Sequence, residues 1–184
     1  LGKELRQRSL AALGVAAAAI VGYIAWAFRK VSEPVSSWKY GVAAVAALLH
    51  DVLIPAGLFA ALGRFAGVEV DALFVTALLT VMGFSVHDTI VVFDRIRENL
   101  RRSAGAEKSY AGIVNQSVNE TLGRSINTSL TVLLVLGAIF FAGGDTTRFF
   151  ALALAVGILA GTYSSIFVAS PLVVAWHDLT RGKR

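Results

Sequence analysis

The 184-residue sequence has no cysteine, only three prolines and few charged residues. The absence of cysteine excludes disulfide bonds and thiolate metal sites. Charged residues make up 16% of the chain, whereas hydrophobic residues make up 56% and the mean hydropathy is +0.69. A soluble domain of this size carries about 25% charged residues. The composition therefore indicates an integral membrane protein.

Familiar motifs for metal binding and hydrolysis are also absent. Neither HExxH nor GxSxG occurs, although His50 and His87 each precede an aspartate. Consecutive residues of an α-helix point about 100° apart, so such a pair does not readily close on one ion. We therefore predict no metal site, no bound cofactor and no catalytic residue.

Basic residues exceed acidic ones, which gives the chain a net charge of +5 and an isoelectric point near 9.9. Such a balance can indicate nucleic-acid binding. In a membrane protein, however, surplus lysine and arginine more often lie in cytoplasmic loops. We therefore predict contact with membrane lipids and no binding of nucleic acid.

Five apolar stretches approach or exceed the length of about 20 residues that a helix needs to cross a bilayer. They lack the alternating polarity of barrel strands. We predict an all-α, polytopic bundle of five transmembrane helices, formed as one domain over residues 1–184, with a cytoplasmic loop over 94–120. That loop is either a solvated connector or an amphipathic helix at the membrane surface. The predicted spans are 10–28, 40–62, 70–93, 124–142 and 149–176.

Lysine and arginine residues in the connections predict the orientation. Eleven lie on the side that holds residues 94–120 and the C-terminus, and five lie on the other side. The first side is therefore predicted to be cytoplasmic, and the N-terminus of this chain is predicted to lie outside. An external N-terminus without a signal sequence leads us to expect a further transmembrane helix upstream.

Ionisable residues inside a span cost at least a few kcal/mol, which makes them candidates for function. Asp88 lies in GFSVHDTIVVFDR, with Ser85 as its polar neighbour on an otherwise apolar helix face. A buried carboxylate that can approach or leave an arginine can take up and release a proton. Asp88 is therefore our candidate for proton transfer, and the alternative is a static ion pair that locks two helices together.

Arg124 lies in TLGRSINTSLT, where the fourth span begins, and is the candidate partner of Asp88. Asn127 and Thr128 follow one helical turn later, on the same face. This polar row could bind water or bridge to Asp88. Alternatively, Arg124 reaches the cytoplasmic headgroups, as long basic side chains near helix ends often do.

Asp51 lies within the second span, four residues before Pro55. Proline has no N–H, so the Asp51 carbonyl lacks its usual helical donor and a kink is expected. Two supporting roles remain open for Asp51. It lines a polar cavity near the kink, or it holds helices in register through hydrogen bonds, which is the favoured role.

Small residues recur at intervals of four along the fifth span. This ridge consists of Ala153, Gly157, Gly161, Ser165 and Ala169. Small residues at this spacing allow another helix to approach closely. We predict a helix-packing surface centred on Gly157, Gly161 and Ser165.

Several of these segments resemble the SecF family, the smaller partner of SecD. They are GKELRQRSLAAL, AALLHDVLI, GFSVHDTIVVFDRIRENLR, TLGRSINTSLT and FALALAVGILAGTYSSIFVASPL. The resemblance covers nearly the whole chain. It implies half of a membrane assembly of the resistance-nodulation-division superfamily, in a bacterial or archaeal cytoplasmic membrane. SecD, fused or separate, the SecYEG channel and a translocating preprotein are the implied partners.

The resemblance also implies a non-enzymatic role: use of the proton-motive force to assist preprotein translocation. Asp88 would belong to the proton pathway, and Arg124 best matches the family's functional arginine. Sodium as the coupling ion stays open. A complete SecF has a first helix and a periplasmic domain that this chain lacks. The alternatives are an exporter of small molecules or lipids from the same superfamily, and a purely structural subunit that stabilises the channel.

Overall fold

The computed structural model describes residues 3–27, 37–103 and 109–181. Helices account for nearly all of this part. They are α1 (Lys3–Ala27), α2 (Ser37–Ala66), α3 (Ala72–Arg102), α4 (Tyr110–Ala142), α5 (Asp145–Ser164), a π-helical segment (Ser165–Ala169) and α6 (Ser170–Arg181). Because the last three are continuous, the described part contains five stretches long and apolar enough to cross a membrane. The predicted all-α bundle is confirmed.

Local sequence signals define the ends of the central helices. The Asp71 side chain caps α3 by accepting a hydrogen bond from the Phe74 amide at 2.9 Å. Ser109 caps α4 in the same way, accepting from the Gly112 amide at 3.1 Å. Between α2 and α3, Gly67 has a φ of 69°, which glycine adopts without strain. The short connection makes α2 and α3 antiparallel neighbours.

The structure differs from the predicted loop over 94–120. Helix α3 continues to Arg102, and α4 runs without interruption from Tyr110 to Ala142. Residues 110–120 therefore do not form a separate amphipathic helix. The hydropathy of this segment is low because its exposed face carries Asn115, Gln116, Asn119 and Glu120, while Ile113, Val114 and Ser117 are buried. Residues 104–108 of the predicted loop, and residue 28 of the first predicted span, lie outside the described part.

Polar side chains join the end of α3 to the start of α4. The buried Asn99 amide donates to Ser117 Oγ at 3.0 Å and to Glu120 Oε2 at 2.7 Å. Arg95 Nε also donates to Glu120 Oε2, at 2.5 Å. These bonds hold the two helices together beyond the predicted spans.

Replacing Asn99 with alanine removes both amide hydrogen bonds and leaves the buried Ser117 hydroxyl with one partner fewer. We expect the free energy of unfolding to fall by about 1–3 kcal/mol, the cost of unmaking buried hydrogen bonds. Denaturant unfolding in detergent measures this change. The control is Asn127→Ala, because Asn127 is exposed. Equal stability of the two variants would show that the hydrogen bonds of Asn99 do not stabilise the contact between α3 and α4.

Two apolar clusters fill the interior at opposite ends of the bundle. One includes Tyr40, Phe93 and Ile96, and the other includes Phe59 and Leu154. Between these clusters, α2, α4 and the α5–π junction bury polar side chains. They are Asp51, Ser125, Ser129, Ser164 and Ser165. A layer of polar side chains therefore lies in the interior, beside the region where the two apolar clusters adjoin.

The small-residue ridge of the fifth span is buried throughout the described structure. A Cβ atom added to Gly157 would collide with the side chain of Val81 on α3. One added to Gly161 would lie 3.2 Å from Ser85 Cβ. The two glycines thus let α5 approach α3 closely. This approach brings the hydroxyls at the end of α5 to the polar side chains of α2 and α3.

Candidate functional site

Asp88 lies on α3 where this helix meets α4, and it is 8% exposed. Ser125 Oγ on α4 donates a hydrogen bond to Asp88 Oδ1 at 2.6 Å. Asp88 Oδ2 is buried and has no hydrogen-bond partner among the described residues. A buried polar atom without a partner is rare in folded proteins. This oxygen is therefore free to accept a proton or another donor.

Hydroxyl groups from four helical segments form hydrogen bonds near Asp88. Thr89 Oγ1 lies 3.0 Å from Ser165 Oγ, the first residue of the π-helical segment. Nearby, Ser129 on α4 is hydrogen-bonded to Thr162 on α5. Such groups both donate and accept hydrogen bonds, so they can stabilise either charge state of a neighbouring carboxyl group.

The π-helical segment, Ser165–Ala169, widens the helix beside this site. The Ser170 hydroxyl donates to the Ser165 carbonyl, five residues earlier, at 2.8 Å. Where this segment begins, the successive residues Ser164 and Ser165 contact different helices, α2 and α3. Single π-helical turns within α-helices are frequent at functional sites.

Asp51 is completely buried on α2. Its Oδ2 atom accepts hydrogen bonds from Ser85 on α3 and from Ser164 on α5, the latter at 2.7 Å. Its Oδ1 atom lies 2.9 Å from Nδ1 of His50. Asp51 therefore joins three helices through hydrogen bonds. Within the described ranges, no three His, Asp or Glu residues cluster closely enough to hold a metal ion.

Arg124, Asn127 and Thr128 are exposed on α4. In the described structure, Arg124 makes no hydrogen bond or ion pair with Asp88. The reason is geometric, since Arg124 precedes Ser125 and consecutive helical side chains point about 100° apart. Ser125 occupies the inner face, so Arg124 is directed outward.

A buried stripe of hydroxyl residues on α4 escaped the sequence analysis. It consists of Ser117, Thr121, Ser125 and Ser129, at strict intervals of four. This spacing places all four on one helix face. The repeat itself was the signal that could have identified Ser125. Ser164 lies outside the repeat of four on the fifth span, so that repeat did not identify it.

Residues 1–179 match the sequence profile of a family described as "Protein export membrane protein SecD/SecF, C-terminal". The chain belongs to this family. The protein translocase subunit SecF of Thermobaculum terrenum is 58% identical over 97% of this chain and 55% of its own length. The protein translocase subunit SecDF of Thermus thermophilus is 46% identical over 97% of this chain and 22% of its own length.

The solved structures agree with this assignment to the SecD/SecF family. A crystal structure of SecDF from Thermus thermophilus, described as a translocon-associated membrane protein, has 44% sequence identity and a TM-score of 0.85. The match covers 97% of this chain and 23% of that one. Together with the five apolar helices, it identifies a multi-pass membrane protein. The chain spans about half the length of the SecF relatives it matches.

The family assignment confirms the resemblance to SecF that GFSVHDTIVVFDRIRENLR and the other segments indicated. The roles predicted for individual residues stay predictions. The structure places Asp88 inside the SecF-type bundle beside Ser125, and Asp51 in a separate buried cluster that includes Ser85. It places Arg124 on the outer surface.

Proposed function

We propose that this SecF-type chain, acting with a SecD half, uses the proton-motive force to assist preprotein translocation. The observation that carries the proposal is the buried, unpartnered Oδ2 atom of Asp88 within a layer of hydroxyl groups. An intramembrane carboxylate of this kind marks an ion or proton pathway by default. The relatives are named protein translocase subunits, which supports an export role over transport of small molecules or lipids.

Protonation of Asp88 acts as the switch in this proposal. The ionised carboxylate accepts the Ser125 hydrogen bond, and a proton on Oδ2 removes the charge at the contact between α3 and α4. In a low-dielectric interior, that change alters the balance between alternative helix packings. One charge crossing 100 mV is worth about 2.3 kcal/mol, enough to shift a two-state equilibrium roughly fiftyfold.

A SecD half, fused or separate, is the proposed cover for the outer face of α4. Arg124, Asn127 and Thr128 are exposed there, and lipid chains offer them no hydrogen-bond partner. Two exposed apolar residues on the other flank of α4, Ile126 and Leu130, suit a helix–helix contact. In the assembled protein, Arg124 would pair with a carboxylate of the SecD half.

We further propose that the junction of α3 and α4 lies in the cytoplasm, with the connection between α2 and α3 outside. Eleven of the chain's basic residues fall on the junction's side, which supports this orientation. The cytoplasmic membrane, the SecYEG channel and the emerging preprotein complete the proposed setting.

Export from reconstituted vesicles tests the proposal. The full-length protein, its SecD half and SecYEG are supplied together, and preprotein translocation is measured with a proton gradient, with a sodium gradient and with neither. We expect the proton gradient alone to accelerate translocation and an uncoupler to abolish the gain. Stimulation by the sodium gradient alone would show that sodium, and not the proton, is the coupling ion. Translocation indifferent to both gradients would support the purely structural alternative.

A further inference from the structure

A second buried carboxylate lies close to Asp88, and the proposed function does not use it. Asp51 is 0% exposed, whereas the side chain of its neighbour His50 is 33% exposed. The pair is joined by the 2.9 Å contact between His50 Nδ1 and Asp51 Oδ1. A titratable ring therefore connects the bundle surface to a fully buried acid.

The hydrogen bonds of Asp51 lead from this pair toward Asp88. Its Oδ2 atom accepts from Ser85, which lies three residues before Asp88 on α3. Residues at that spacing share a helix face, with about 5–6 Å between their Cβ atoms. Ser164, the other donor to Oδ2, directly precedes Ser165, which contacts Thr89. Ser85, which donates to Asp51, thus lies one turn before Asp88 on α3.

We propose that His50 and Asp51 form a proton relay that supplies Asp88 from the side of the bundle where α2 ends and α3 begins. The inference rests on the proposed function, in which Asp88 exchanges protons. The relay needs a space beside the exposed edge of His50 that water can enter. Such a space is expected because intramembrane ionisable side chains face protein or water-filled cavities rather than lipid.

The relay conserves protons at each step. A proton binds Nε2 of His50, and the Nδ1 proton passes to the Asp51 carboxylate. Asp51 protonates the Ser85 hydroxyl oxygen, whose own proton moves to Asp88 as the two side chains rotate toward each other. A new proton binds Nδ1 as the Nε2 proton leaves, which restores the ring, and only N–H and O–H bonds are exchanged.

The environment of Asp51 suits such a transfer. The groups that face it are His50 on its own helix, Ser85 on α3 and Ser164 on α5. Among the described ion pairs, none joins Asp51 to lysine or arginine. When His50 and Asp51 share one proton, the pair has no net charge. Burying a neutral pair costs less free energy than burying an isolated charge.

Substitution of His50 tests the relay in the full-length protein with its SecD half. Asparagine places an amide donor where Nδ1 lies but cannot titrate, so Asp51 keeps its hydrogen bond. We expect His50→Asn to slow proton-driven export roughly 100-fold, the lower end of what a positioned proton-transfer group contributes. We also expect it to remove the dependence of export on external pH.

His177→Asn is the matched control, because His177 contacts the adjacent Asp178 at 3.0 Å but lies at the far end of α6. It should keep the wild-type rate and pH dependence. If His50→Asn and Asp51→Asn both keep that pH dependence while Asp88→Asn abolishes proton-driven export, the relay is overturned and the proposed function stands. A sodium requirement lost in Asp51→Asn would also overturn the relay, in favour of a cation site.

Water access provides a readout that needs no export. This chain has no cysteine, so a single introduced one can be labelled. The ring of Tyr163 stacks on His50 with centroids 6.2 Å apart, and Tyr163 is exposed. We expect Tyr163→Cys to react with a membrane-impermeant thiol reagent, and Leu53→Cys, on an exposed apolar position, to stay unlabelled. No labelling at either position would refute a water-filled entry beside His50.

Discussion

Replacing Asp88 with asparagine is expected to abolish proton-driven export while leaving the protein folded. Asparagine has nearly the same shape as aspartate, and its side-chain oxygen can still accept the hydrogen bond from Ser125. It cannot carry a proton, so the contact between α3 and α4 no longer changes charge. We expect the stimulation of export by a proton gradient to fall by at least about 100-fold.

The control for this variant is Asp94→Asn on the same helix. The Asp94 side chain is 72% exposed and its only ion pair is with Arg97, at 3.7 Å, in the described part of the chain. Asp94→Asn should therefore export normally, and both variants should unfold at the wild-type temperature. Normal proton-driven export by Asp88→Asn would refute the role of Asp88. Failure of Asp88→Asn to fold would instead show that the Asp88 carboxylate is needed for folding.

Replacing Gly157 with leucine is expected to have the largest effect on stability. A Cβ atom at this position already collides with the Val81 side chain, so leucine would force α5 away from α3. Overpacking of a core typically costs about 1–3 kcal/mol. We expect a value at the upper end or above it, because separation of the helices also breaks the hydrogen bonds from Ser164 and Ser165.

Gly57→Leu provides the comparison, since Gly57 lies within α2 and has no atom within 4 Å of an added Cβ. Thermal unfolding of both variants in detergent, followed by circular dichroism, measures the difference. A transition temperature for Gly157→Leu equal to that of Gly57→Leu would contradict the close packing of α5 on α3.

The five transmembrane helices could be predicted because each contains a long apolar run. Their ends were less predictable where packing depends on small polar residues. The segment 110–120 has low hydropathy, yet it continues α4 because Ser109 caps the helix and Ser117 meets Asn99 on α3. Hydropathy detects burial by lipid and apolar side chains, and it does not detect burial through hydrogen bonds.

The residues of the candidate site were also predictable only in part. Asp88 and Asp51 could be identified because a carboxylate within a span is rare. The sequence analysis chose Arg124 as the partner of Asp88, whereas the rotation of α4 directs the adjacent Ser125 inward. That rotation depends on contacts with α3 and α5 over many residues.

The π-helical segment lay beyond sequence reasoning for a different reason. The small-residue ridge from Ala153 to Ala169 reads as a regular repeat of four. The structure keeps all five residues buried although the helix widens at Ser165–Ala169. Where the π-helical segment begins, Ser164 contacts Asp51 and Ser165 contacts Thr89. Periodicity alone offers no sign of such a change.

Proton uptake by vesicles tests the central claim most directly. The full-length protein and its SecD half are reconstituted with a pH-sensitive dye inside, and a membrane potential is imposed. The wild type and Asp94→Asn are predicted to carry protons inward, and Asp88→Asn is predicted to carry none. Proton uptake by Asp88→Asn at the wild-type rate would contradict the account.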